Sequence, residues 1–589
     1  MKKAPAFLYL LFIALTGQAQ WSVLADDPRL AQNKAEFNLW QPFSAAEWAA
    51  ADFASPADMK WFKEARYGMF IHFGLSSYAN KDLSWPIVYS RKLPDNGHGD
   101  YPDSAWQKTW PSLWRLEKFN ADEWVQIARD AGMKYIVVIA KHHDGFHMWN
   151  TQYSDFNITH TPFQRDYLKE LVQACHKAQM PIGLYYSQRD WYHPFYAPVD
   201  SNKVTPLDYP PFYKAKPGVK NVAGANHQKY IDYQFNVVRE LLTNYGKIDV
   251  FWFDAAWWGG MFTADMWQAD RLSKMIRALQ PHIIINNRAG LPGDFDTPEQ
   301  RIGLYQKRAW ESAMTLNGSW AFDPATPIKP VKQLIREMLT AGAGNGNVLL
   351  SWGAKFDGSF DQAQKDSLLK IGHWLHQYGF TYYGTQGGPW MPNAHMGAVH
   401  KDNKVYLYIF DWKPEGILLP ALPQNRVVAA RFINLKENLQ WQQEGSNLRL
   451  STPQQPDLVV SLVELTMQQP INEVLAVSAT SIFDDPTFGE KISSIRYAAG
   501  HWKKNDIIKD LGAVKNITGV QIVGNSRPVT IATSVDGKTW LAVGETEGAA
   551  TDMPLFRFMT GAYVPGKSVR YIRLRSTHPQ TVQMNVYAK

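Results

Sequence analysis

The residues of this chain best placed for chemistry stand at the ends of apolar runs. In order they are His72 in GMFIHF, then Lys141-His142-His143-Asp144 after KYIVVIA, then Tyr185-Tyr186-Ser187 at the end of PIGLYYS. Asp254 closes IDVFWFD, Asn286-Asn287-Arg288 close HIIINN, and Glu299 follows in GDFDTPEQ. A carboxylate that ends a strand of aromatic and aliphatic residues is costly to bury unless it is paired or used. Asp254 is such a group, and its neighbours Trp252, Phe253, Trp257 and Trp258 would supply a dry stacking wall. A structural aspartate that caps the next helix is the plain alternative. Cleavage of a glycosidic bond uses two carboxyl groups. Glu299, in a loop rich in Gly, Pro and Asp, is the best second candidate, with Asp294, Asp296 and Glu311 as rivals that the sequence does not exclude. His142, His143 and Asp144, with His147 nearby, invite a metal reading. They lack the H-E-x-x-H type of spacing that puts two ligands on one helix face. Imidazoles that bind sugar hydroxyls, or satisfied histidines with no ligand, are the other uses. Two carboxyls need no helper, so no metal and no cofactor is expected.

Such residues need a scaffold that gathers strand ends. Between Gly68 and Thr385, short and nearly continuous apolar runs alternate with longer amphipathic ones. The strand-like runs are GMFIHF, KYIVVIA, PIGLYYS, IDVFWFD, HIIINN, NVLLSW and a short TYYG, with a faint sixth strand near Gly303 to Tyr305. The helical stretches are ADEWVQIARDAG, DYLKELVQACHKAQ, HQKYIDYQFNVVRELLTNYG, DMWQADRLSKMIRALQ, VKQLIREMLTAG and QKDSLLKIGHWLHQYG. Runs apolar on both faces suit parallel strands, and the repeated pairing predicts an α/β fold, a (β/α)8 barrel, whose catalytic residues lie at strand C-termini. A doubly wound open sheet competes, but no Gly-rich nucleotide loop follows the first strand. After Thr385 the helical period stops. KVYLYIFDW, RVVAARFIN, LRLSTP and LVVSLVEL predict a small antiparallel β-sandwich, and DIIKDLG, ITGVQIVG, PVTIATSVDGKTW and VRYIRLRS a second one. Met467 to Asn472 read as a linker. The expected division is 1–19, 20–385, 386–468 and 469–589.

With 45% hydrophobic and 20% charged residues, the chain is ordinary globular material rather than a disordered one. Lys2 and Lys3, the apolar run Ala6 to Leu15, and the small residues Gly17 and Ala19 read as a signal peptide over 1–19. That run is too short for a lasting membrane anchor, so stable membrane insertion is not expected. Cys175 is the single cysteine, which excludes an internal disulfide and suits a bacterial periplasm or secretion. The formal charge of +7 is spread along the chain without a Lys/Arg cluster, so nucleic acid is not an expected partner.

Several segments together resemble a known family. WFKEARYGMFIHFGLSSY, KYIVVIAKHHDGFHMWNT, IGLYYSQRDWYHP, ELLTNYGKIDVFWFDA, IIINNR, WESAMTLNGSW and NVLLSWGAKFDG are similar, in that order, to motifs of family 29 α-L-fucosidases, over about Trp61 to Thr385. The resemblance implies a retaining, exo-acting α-L-fucosidase whose partner is a fucosylated oligosaccharide or glycoconjugate. Asp254 would be the nucleophile and Glu299 the acid/base. His72, His142 and His143 would bind fucose hydroxyls, joined by Tyr185 or Tyr186 and by Trp191. Arg288 would lie near the acid/base, with Trp85 and Trp252 on the pocket wall.

The chain departs from the family in three places. LLSWGA at Leu349 to Ala354 replaces a stretch that usually reads LLNIGP. Ser319-Trp320 is followed by Ala321-Phe322 rather than Gly-Tyr. The segment LSWPIVYSRKLPDNGHGDYPDSAWQ is long and unmatched. These departures bear on the aglycone. An α-L-galactosidase, a glycosidase for substituted fucans, and a catalytically silent glycan-binding protein stay open beside the main reading. The last unit, from about Ile471 to Lys589, resembles a discoidin-type or family 32 carbohydrate-binding module.

Overall fold

The computed structural model describes residues 45–588 apart from 81–82, 85–103, 191, 197–226, 255–263, 265–266, 301, 303–307, 391, 393–394, 413, 415, 423–424, 445–446, 472–489, 524–528 and 547–559. Residues 1–19, Trp85, Trp191, Trp257, Trp258 and the last residue of the expected linker, Asn472, therefore lie outside the described residues. Seven parallel strands form the first sheet: β1 (Tyr67–Ile71), β2 (Ile136–Lys141), β3 (Ile182–Ser187), β4 (Val250–Asp254), β5 (Ile284–Ile285), β6 (Glu311–Thr315) and β7 (Asn347–Trp352), in the order β5-β4-β3-β2-β1-β7-β6.

A segment from Asp294 to Gln300 closes the gap between β5 and β6. Phe295 bridges Asn286 in parallel, Asp296 bridges Trp310 and Glu299 bridges Ala313. The Asp294 N–H donates to the Ile285 carbonyl at 2.7 Å, and the Ala313 N–H to the Pro298 carbonyl at 3.0 Å. This is the sixth stave of a (β/α)8-type barrel; the strand expected near Gly303 to Tyr305 lies outside the described residues. TYYG is not a stave. Thr381 ends a 3₁₀ turn (Gly379–Thr381), and the Tyr382 hydroxyl donates to the Arg66 carbonyl.

Side-chain alternation sorts the strands into two cores. Phe70, Val137, Ile139, Tyr185, Val250, Trp252, Ile284, Phe295, Ala313 and Leu349 fill the barrel interior. Met69, Ile136, Val138, Leu184, Tyr186, Phe251, Phe253 and Leu350 point the other way, into the layer beneath the helices. Each such aliphatic or aromatic side chain contributes roughly 1.5–3 kcal/mol on burial. The six helices expected from the 3.6-residue period are present, as Ala121–Asp130, Tyr167–Lys177, His227–Asn244, Ala269–Leu279, Val331–Ala343 and Gln362–Tyr378. Asn120, Asp166 and Asp361 cap three of them by accepting backbone N–H groups of the first turn. Cys175 is buried on the inner face of the helix Tyr167–Lys177.

Antiparallel sheets follow. The strands β8 (Gln386–Gly387), β9 (Met396–Lys401), β10 (Lys404–Ile409), β12 (Val427–Phe432) and β15 (Ser461–Met467) make one sheet, and β11 (Ile417–Pro420), β13 (Trp441–Glu444) and β14 (Asn447–Leu450) a second. Their apolar faces share a core around Leu407, Leu419, Leu450 and Leu465. The last unit is a six-stranded antiparallel sheet, β16 (Glu490–Tyr497) to β21 (Val582–Ala588). Its long strands β17 (Asp506–Val523) and β20 (Thr560–Arg575) carry register shifts, which bend a sheet locally around its own core of Trp502, Ile517, Ile531 and Val586.

Candidate active site

At the C-terminal ends of the barrel strands the inward side chains leave a pocket. Its wall is made by Phe70 and His72 from β1 and its end, and by His142 and His143 just past β2. Tyr185 on β3, Trp252 and Asp254 on β4, and Arg288 in the turn after β5 follow. Glu299 on the closing segment, Ala313 on β6 and Trp320 beyond it complete the wall.

Two carboxylates meet on one guanidinium. Arg288 Nη1 lies 3.1 Å from Asp254 Oδ1 and 2.9 Å from Glu299 Oε2. Two oxygens bound to one nitrogen at these distances are at most about 6 Å apart. Arg288 is itself locked: Nε donates to Thr297 Oγ1 at 2.9 Å, Nη2 donates to the Thr297 carbonyl at 3.1 Å, and its plane sits 4.7 Å from the Trp252 ring centroid. Burial works against its charge, but Glu299 and Asp254 more than offset this and raise its pKa. The Tyr185 hydroxyl donates to Asp254 Oδ2 at 2.6 Å. Burial, then the charge of Asp254, holds that phenol well above its ordinary range, so it stays a donor.

The three histidines are buried and neutral. Burial lowers His142 to about 3, and His72 and His143 well below their usual value, with cationic neighbours adding to the effect. His143 Nε2 is 3.9 Å from Asp254 Oδ2. His142, His143 and Asp254 each offer one ligand atom within 4.8 Å of the others. The Arg288 guanidinium at 3.1 Å from Asp254 already supplies a cation there, which disfavours a metal ion. His147 belongs to a different environment, hydrogen bonded to the Tyr233 hydroxyl and the Phe156 carbonyl.

The rivals for the second carboxyl are occupied elsewhere. Asp294 accepts two bonds from Arg277 and the N–H groups of Ala54 and Ile285. Asp296 pairs with Arg308 at 3.1 Å. Glu311 lies inside the barrel, where it accepts from the Tyr135 hydroxyl and from Trp252 Nε1. Of the expected site residues, the structure brings together His72, His142, His143, Tyr185, Trp252, Asp254, Arg288 and Glu299. Tyr186 is a correction: its position on the opposite face of β3 turns it into the helical layer, where its ring lies 4.9 Å from Lys141 Nζ. Phe253 faces the same way. Sequence reasoning missed Phe70, Ala313 and Trp320 as wall residues. Phe70 had a signal, since it lies two residues before His72 on the same strand face, whereas Ala313 on β6 and Trp320 beyond it come from a stretch that showed no strand-like apolar run.

The buried titratable groups predict how stability follows pH. Besides the pocket trio, burial lowers His147 to about 3 and His400 to about 4. Each of these rings is neutral when folded and takes up a proton on unfolding below about pH 6.5, so the stability it confers is lost as pH falls from there through its folded value. Asp144 and Glu311, raised to about 7 by burial, act oppositely: folded they keep a proton that the unfolded chain sheds, so they lose stability as pH rises toward 7. Five histidines outweigh two carboxyls. Each unmatched proton is worth about 1.4 kcal/mol per pH unit. Urea unfolding should therefore show a lower midpoint at pH 5 than at pH 7, and an equal or higher one would contradict the burial pattern.

The chain is similar to known proteins. The family model described as alpha-L-fucosidase matches residues 37–380, more than half of the chain. Human plasma alpha-L-fucosidase is 26% identical over 435 residues, covering 69% of this chain and 86% of its own. The structure of alpha-L-fucosidase isoenzyme 1 from Paenibacillus thiaminolyticus superimposes with a TM-score of 0.60 at 29% identity, over 70% of this chain and 99% of that one. The Thermotoga maritima alpha-fucosidase does so with a TM-score of 0.55 at 25% identity, over 69% and 96%.

Proposed function

Because the chain belongs to the α-L-fucosidase family of glycoside hydrolases, we propose that it removes terminal α-L-fucose with retention of configuration, using Asp254 as nucleophile and Glu299 as acid/base. The observation that carries this reading is the pair of carboxylates that share Arg288 Nη1, their bonded oxygens at most about 6 Å apart. Retaining enzymes hold their carboxyls about 5–5.5 Å apart, and inverting ones need roughly 6.5–9.5 Å to seat a water. In the first step Glu299 gives its proton to the leaving oxygen while Asp254 attacks the anomeric carbon and forms a fucosyl ester. In the second, Glu299 takes a proton from water, which attacks the same carbon and frees Asp254. Tyr185 stabilises the Asp254 carboxylate before attack and after release.

The family match supports action on the terminal fucose of a fucosylated oligosaccharide or glycoconjugate. His72, His142 and His143 are suited to the ring hydroxyls, and Phe70, Trp252 and Trp320 to its apolar face and methyl group. The intact carboxylate pair speaks for turnover rather than silent binding. We take residues 20–385 as the catalytic unit with its N-terminal extension, 386–468 as a small sandwich and 469–589 as a module resembling discoidin-type carbohydrate-binding domains. The basic n-region and apolar run at 1–19 support export to a periplasm or beyond. Among the described residues no helix is long and apolar enough to cross a membrane.

The deciding experiment is to follow hydrolysis of an aryl α-L-fucoside by proton NMR from the first turnovers. α-L-Fucose should appear first and then mutarotate. First appearance of the β anomer would overturn the retaining assignment, and absence of any release would overturn the substrate assignment.

A further inference from the structure

Strand β2 changes face just before it reaches the pocket. Val137 and Ile139 point into the barrel interior, and Ile136, Val138 and Ala140 into the helical layer. Regular alternation would send Lys141 into the barrel and His142 out among the helices. The reverse is found. Lys141 Nζ lies 4.9 Å from the centroid of the outward Tyr186 ring, whereas His142 lines the pocket, its ring stacked on that of Tyr185 at 5.5 Å and 13°. The cause is a bulge: Ile139 pairs with Tyr185, but Lys141 rather than Ala140 pairs with Tyr186. One extra residue reverses the phase of all that follow it.

The bulge has an anchor. Lys141 is fully buried and reaches the loop after β3, with Nζ 3.3 Å from Asp190 Oδ2 and 3.1 Å from the Arg189 carbonyl oxygen. Burial lowers the lysine's pKa, and the charge of Asp190 offsets part of that. Asp190 also accepts the His193 N–H at 3.0 Å, and its carboxylate lies against the turn after β2. A Cβ on Gly145, whose φ is +75°, would fall 2.1 Å from Asp190 Oδ1. The Gly145 N–H donates to the His142 carbonyl at 3.1 Å, so the carboxylate backs the turn that carries His142. Replacing a buried ion pair by neutral side chains of like volume is often without cost to stability, so stability alone does not account for one here.

We propose that Lys141 and Asp190 are positioning residues for sugar binding: their buried ion pair pins the bulge of β2 and so keeps the His142 imidazole in the pocket. In the regular phase the ammonium would enter the pocket wall, which already holds the Arg288 guanidinium, and the imidazole would enter an apolar layer. A buried ammonium without its carboxylate is costly, so the pair favours the bulged phase. The pinning stands on the backbone geometry. That it serves binding rests on the pocket holding fucose.

The test is Lys141→Met combined with Asp190→Asn, which removes both charges at nearly unchanged volume and leaves an oxygen for the His193 N–H. The urea midpoint should stay near that of the parent, while KM for an aryl α-L-fucoside rises about tenfold and kcat changes much less. In a His142→Ala background the same two substitutions should scarcely raise KM further, because they act through a ring already removed. Asp190→Asn alone, the milder change, should move KM in the same direction. A crystal structure of the double variant should show His142 off the Tyr185 ring. An unchanged KM, or an equal rise with and without His142, would overturn the proposal, as would a structure that keeps both the bulge and the stacked ring. If the parent releases no fucose from any fucoside, the enzymatic reading fails, and the variant structure still decides whether the pair pins the strand.

Discussion

Asp254→Gly is expected to lose hydrolysis of an aryl α-L-fucoside by on the order of 10³-fold or more, the scale seen when a catalytic nucleophile is removed. Part of the activity should return with added azide, and the product should be β-L-fucosyl azide. Removal of the side chain opens space beside the anomeric carbon, and two groups that served the carboxylate remain there: the Tyr185 hydroxyl, 2.6 Å from Asp254 Oδ2, and Arg288 Nη1, 3.1 Å from Oδ1. Both favour a small anion. One displacement by azide inverts the centre, hence the β product. Arg288 keeps its 2.9 Å partner Glu299 and its bonds to Thr297, so the variant should fold, which circular dichroism can verify. Near-full activity in this variant would remove Asp254 from the mechanism. Loss of activity with the α azide as rescue product would assign it a different role.

Glu299→Ala should behave in a complementary way. General acid–base help is worth about 10²–10⁴-fold, and the loss should scale with how badly the leaving group needs a proton. A dinitrophenyl fucoside should still form the fucosyl ester and stall at its hydrolysis, while a fucosyl disaccharide should be almost inert. Azide should accelerate breakdown of the ester and give α-L-fucosyl azide, because two displacements restore the configuration. The control is Glu311→Gln. Glu311 is held beneath Trp252 by Nε1 and by the Tyr135 hydroxyl and does not line the cavity, so this variant should show no dependence of its rate on the leaving group and no azide product. If Glu311→Gln shows the azide pattern and Glu299→Ala does not, the two carboxyls exchange roles.

How much of this was legible beforehand differs from residue to residue. Asp254 was visible because an ionisable group at the end of VFWFD breaks an otherwise apolar run, and burying it without use would be costly. His72, His142 and His143 were visible for the same reason, as strand ends of a fold whose period and run lengths already implied parallel staves. The sixth stave was not, since GDFDTPEQ has neither the apolar run nor the alternation of a strand. Only its backbone bonds to β5 and β6 reveal it. That concealment also hid why Glu299 is distinguished from its neighbours, because it bridges Ala313 within this stave and so reaches the strand ends.

Hydrophobic period and the cost of isolated charge are local properties, and they were enough for the scaffold class, the carboxylate at 254 and the histidines at the rim. Choosing between chemically equal alternatives took contacts in three dimensions. Tyr185 and Tyr186 are adjacent and identical in type, on a strand buried on both faces. Barrel curvature puts one on Asp254 and the other on the helical layer. Asp294, Asp296, Glu299 and Glu311 carry the same functional group, and what separates them is the partner that each meets: Arg277, Arg308, Arg288, or a tyrosine with a tryptophan. Partnership is a property of residues distant in sequence and close in space, so no local pattern encodes it.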